Sequence, residues 1–103
     1  MKKKIDPMAF LAAKEDVMEN LEAIQVWINQ SVSQGMVDMD DTYYNELLGL
    51  MDDTVVMETW PEVEEIILKA KVLETDVDAW LSMHGITTVS LTWPSIPPSI
   101  SKE

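Results

Sequence analysis

Phe10, Ala13, Val17, Leu21, Ile24, Ile28 and Val32 follow one another at spacings of three or four. A helix turns once every 3.6 residues, so this spacing gathers all seven side chains into one stripe. Met18 and Trp27 widen the stripe, while Glu15, Glu19, Glu22, Asn29 and Ser33 take the opposite face. Asp6 suits the N-cap and Pro7 the first helical position, where a missing N–H costs nothing. Gly35 supplies a stop. The pattern predicts a helix over 7–34, about 42 Å long at 1.5 Å per residue. A rod that long with one oily side needs other elements to cover it.

The rest of the chain supplies them. Asp40 or Asp41 can cap a second helix over 41–58, with Tyr44, Leu47, Leu48, Met51 and Val55 as its buried side. Thr59-Trp60-Pro61-Glu62 has the Thr-x-x-Glu spacing of a capping box with proline in the first turn. A third helix over 60–84 follows, with Val63, Ile66, Ile67, Ala70, Leu73, Val77, Trp80 and Leu81 on its apolar face. It ends at His84-Gly85, and a second Thr-x-x-Asp pattern at Thr75 marks a possible break inside it. The expectation is an all-α three-helix bundle in residues 1–85.

Beyond Gly85 the pattern changes. Thr87 to Trp93 are β-branched or alternating, and Trp93-Pro94-Ser95-Ile96-Pro97-Pro98 favours an extended polyproline conformation. Residues 86–103 therefore read as an extended Pro/Ser-rich arm. A lone strand cannot satisfy its own backbone, so this arm lies on the bundle, pairs with its copy in a dimer, or meets a partner. A first helix much longer than the second leaves an uncovered end, a further route to a symmetric homodimer.

Charge narrows the function. Fourteen carboxylates and no basic residue lie between Lys14 and Lys69, and the whole chain carries a net charge of -12. Such a field repels nucleic-acid phosphates and anionic membrane and attracts cationic partners. No stretch approaches the ~20 apolar residues of a membrane span. The apolar run behind the three N-terminal lysines is short for a signal peptide, so a cytoplasmic protein is expected.

Reactive chemistry finds little purchase. Cysteine and arginine are absent and His84 is the lone histidine, which removes thiolate metal sites, imidazole clusters and bidentate anion clamps. Asp38, Asp40 and Thr42 open like a calcium loop, but Tyr43 replaces its turn glycine and Gly49 its bidentate glutamate. Helix capping accounts for those aspartates better. The glutamates lie opposite the apolar stripes, exposed to water rather than held in a dry pocket that raises a catalytic pKa. No enzyme activity, metal or cofactor is expected.

Binding to another protein, one of basic charge, is the leading expectation: a small acidic adaptor or chaperone-like protein. Trp60, at a helix junction, and Trp93, beside Pro94, are the aromatic residues least committed to a core and the candidate contacts. The alternative is a nucleic-acid mimic that inhibits a basic nucleic-acid-binding protein. Its phosphate-like rows would be Glu15, Glu19 and Glu22 with Asp52, Asp53, Glu58, Glu62 and Glu65.

Overall fold

The computed structural model describes residues 7–95. Three helices run in order, α1 Pro7–Ser33, α2 Asp41–Val56 and α3 Trp60–Ser82, and each packs against both others. The all-α three-helix bundle is as expected, and each helix ends one or two residues short of the expected limit. Short connectors make α1 antiparallel to α2 and α2 to α3, so the N-terminal ends of α1 and α3 meet, where Phe10 sets its ring edge-to-face with Trp60 at 5.3 Å. Asp6, the expected cap of α1, and the prolines at 97 and 98 lie outside the described residues.

The core follows the sequence stripe on two helices and departs from it on the third. Ala13, Val17, Leu21, Ile24 and Ile28 of α1 and Val63, Ile66, Ile67, Ala70, Leu73, Val77 and Leu81 of α3 are buried, as expected. On α2 the buried residues are Leu47, Leu50 and Thr54, whereas Leu48 and Val55, expected inside, are exposed. The line 47–50–54 is itself a helical stripe, and a threonine can join it because Thr54 Oγ1 donates to the Leu50 carbonyl at 2.7 Å. A buried hydroxyl so partnered costs little, and the helix turns accordingly.

The ends are built as the sequence anticipates. Asp40 Oδ1 accepts from the Thr42 and Tyr43 N–H groups at 2.9 and 3.4 Å and caps α2. At α3 both halves of the capping box form. Gly35 and Gly85 adopt φ of 74° and 79°, a conformation that side-chain-bearing residues rarely take. After each, the chain returns a pair of N–H bonds to the last turn: Gly35 to Val32 and Met36 to Ser31, then Gly85 to Ser82 and Ile86 to Leu81. Between helices, Val37 and Met57 turn inward and join the core. No break occurs at Thr75, whose hydroxyl bonds the Lys71 carbonyl inside an unbroken α3.

Candidate functional site

Two surfaces remain once the core is accounted for: the acidic outer faces of the helices, and the groove in which the arm lies.

Seventeen of the nineteen carboxylates lie among the described residues, all but Asp6 and Glu103, and every one except Asp40 and Glu74 is exposed. The eight proposed for partner binding (Glu15, Glu19, Glu22, Asp52, Asp53, Glu58, Glu62 and Glu65) are all among the exposed ones. On α1, Glu15, Glu19 and Glu22 form a row pointing directly away from the core. Leu11 and Val26, also exposed, continue that row at either end. On α2, Asp52 stands between exposed Leu48 and Val55. The acidic stripes are therefore punctuated by apolar side chains.

Little cancels this charge. Three lysines are described. Lys14 turns inward, donating to the Met57 carbonyl at 3.3 Å. Lys69 pairs with Glu65 at 3.3 Å, the one ion pair among the described residues. Two of the eight candidate acids thus have local work. Glu65 holds Lys69, and Glu62 Oε1 accepts from the Glu58 N–H, the Thr59 N–H and the Thr59 hydroxyl. The Glu58 N–H first, then the Thr59 groups, hold the Glu62 carboxyl below its ordinary pKa.

The tryptophans correct the expectation placed on them. Trp60 is 4% exposed and belongs to the core, because it opens α3 directly beneath the start of α1 and fills the gap against Phe10. It has no surface left to offer a partner. Its Nε1–H meets no acceptor. Trp93 is half-buried and packs on its own bundle. Nothing in its proline-rich neighbourhood signals that placement, since the residue that secures it is nineteen positions upstream.

That residue is Glu74, which the sequence did not single out. One carboxylate oxygen accepts the Trp93 Nε1–H at 2.9 Å and the other the Leu91 N–H at 3.0 Å. Asn20 of α1 donates to the Thr92 carbonyl at 2.8 Å, and the Thr88 hydroxyl bonds Asp78 of α3. The arm therefore turns at Gly85 and runs back along the seam between α1 and α3, with Ile86, Leu91 and Trp93 packed inward. Of the three fates open to it, the described part lies on its own bundle. A cleft of about 470 Å³ remains between the arm and α3, lined by Lys71, Glu74, Asp78 and Val89 among others. Both of its carboxylates are engaged in holding the arm.

His84 stands apart from all of this. Its Nδ1 lies 3.1 Å from the Trp80 carbonyl in the last turn of α3, which assigns that nitrogen the proton. Among the described residues no group of three or more His, Asp or Glu side chains is placed to hold a metal ion. No helix among them is long and apolar enough to cross a membrane. No protein-family model, curated protein or solved structure matches this chain.

Proposed function

We propose that this chain is a protein-binding module that uses the outer faces of α1 and α2 to dock a basic protein partner, and that it acts by binding rather than catalysis. The observation that carries this reading is the exposed, uncompensated carboxylate set on those faces, with apolar residues set into it. The field speeds encounter with a cationic surface. Leu11, Val26, Leu48 and Val55 then supply the short-range contact that charge alone does not give. The same apolar interruptions favour a protein partner over strict mimicry of nucleic acid, whose backbone presents charge without oily gaps. The cytoplasm is the proposed compartment.

Affinity capture from the native host, run with wild type and with a Glu15→Gln/Glu19→Gln/Glu22→Gln variant at low and high salt, tests this. Wild type should retain a basic protein that the variant loses, and retention should fall between about 0.05 and 0.3 M salt as screening shortens the reach of the field. Equal capture by both chains would overturn the reading. A Leu11→Ser/Val26→Ser variant separates the two candidates. Loss of capture with the carboxylates intact supports an adaptor surface, and full retention supports mimicry.

A further inference from the structure

We propose that a second copy of this chain docks on the outward face of α3, antiparallel and about a two-fold axis near Leu68. Pro61, Leu68, Val72 and Ala79 stand at spacings of seven, four and seven, on a line running down the side of α3 away from the core that Glu65 and Thr75 complete between them. Leu68 and Val72 are 60% and 59% exposed. Their flank carries Glu64 and Lys71, seven residues and so two turns apart, about 10 Å along the axis and on the same side of the line. Both are exposed.

Charge chooses the occupant and the direction. An antiparallel copy sets Glu64 against Lys71 of the second copy, and by the same rotation Lys71 against that copy's Glu64, with Leu68 crossing its counterpart between them. One symmetry operation satisfies both pairs, as an isologous contact requires. A parallel two-fold would carry this flank to the opposite side of the seam, so Glu64 and Lys71 would not meet each other across it. The outward faces of α1 and α2 also expose apolar residues, but they carry acids without a lysine. Two copies meeting there would set carboxylate against carboxylate at a net charge of -12 each. The α3 face is the one such face among the described residues that complements itself. A contact through one helix per copy falls below the roughly 1,200 Å² of a standard interface, so its affinity belongs in the micromolar range or weaker. This contact does not depend on the basic-partner reading, whose surface is α1 and α2.

Sedimentation equilibrium of the full chain between about 10 μM and 1 mM, a span chosen to bracket such a Kd, tests it. Wild type should shift toward dimer mass across that span. Glu64→Lys and Lys71→Glu should each weaken association at least tenfold. An equimolar mixture of the two variants should associate again, because every cross-contact then joins a cation to a carboxylate. Both positions are exposed, so circular dichroism should show an unchanged fold. A wild type that stays monomeric at the top concentration overturns the proposal. So do single variants that associate like wild type, or a mixture that stays monomeric.

Discussion

Trp60 shows how a polar atom can be sacrificed to packing. Its indole fills the junction between the starts of α1 and α3, yet its N–H is buried without an acceptor, a situation that costs about 1–3 kcal/mol. Trp60→Phe removes that orphan donor along with some packed volume, and the two effects oppose each other. Trp60→Ala keeps only the loss, about 3–5 kcal/mol. Chemical denaturation should therefore find Trp60→Phe far milder than Trp60→Ala. Comparable losses from both would mean that the N–H has a partner in solution. Glu62 is the converse case, a polar group with three donors. Its folded pKa lies below the ordinary 4.5, so its charge contributes stability that is complete above the unfolded value and is lost as pH falls through the folded one. Gln keeps the acceptor but not the charge. Thermal melts of wild type and Glu62→Gln should thus differ most near neutrality and converge as pH drops below 4.5. A gap that stays constant with pH would show that the charge is irrelevant to the cap.

The helices were legible in the sequence because their signals are local. Pro7, the Thr59 capping box and the glycines at 35 and 85 each act within a turn or two, and the apolar spacing of α1 and α3 is set by helix geometry alone. The face of α2 was less legible, since Thr54 enters the core through a bond to its own backbone, which hydropathy does not register. Glu74 was not legible at all. Its role depends on Leu91 and Trp93 returning along the side of α3, seventeen and nineteen residues later. That clamp gives the arm its own test. Glu74→Ala removes both acceptors at once and strands the Leu91 N–H, at about 1–3 kcal/mol for a donor left unpaired. Hydrogen exchange should then quicken at Leu91 while amides in the middle of α3 keep their protection. Unchanged exchange at Leu91 would mean that the arm is held without this clamp, by its apolar contacts and its bonds to Asn20 and Asp78.

As a whole, the molecule separates its two kinds of chemistry cleanly. Apolar side chains join three rods, and among the described residues every carboxylate except Asp40 and Glu74 stands exposed to water. Stability and interaction can therefore be altered independently. Neutralising Glu15, Glu19 and Glu22 should leave the melting temperature unchanged or raise it slightly by easing self-repulsion, while abolishing partner capture. A variant that melts markedly lower would show those acids to be structural after all. The two connectors divide along similar lines. Val37 and Met57 each drop a plug into the interior, but Asp38 and Met39, just past the first plug, face outward. After Met57 only Glu58 and Thr59 remain before α3, and both feed its cap. A tag or foreign epitope spliced behind Met39 would ride on the surface with Val37 still seated, whereas the same graft behind Met57 would unseat the start of α3.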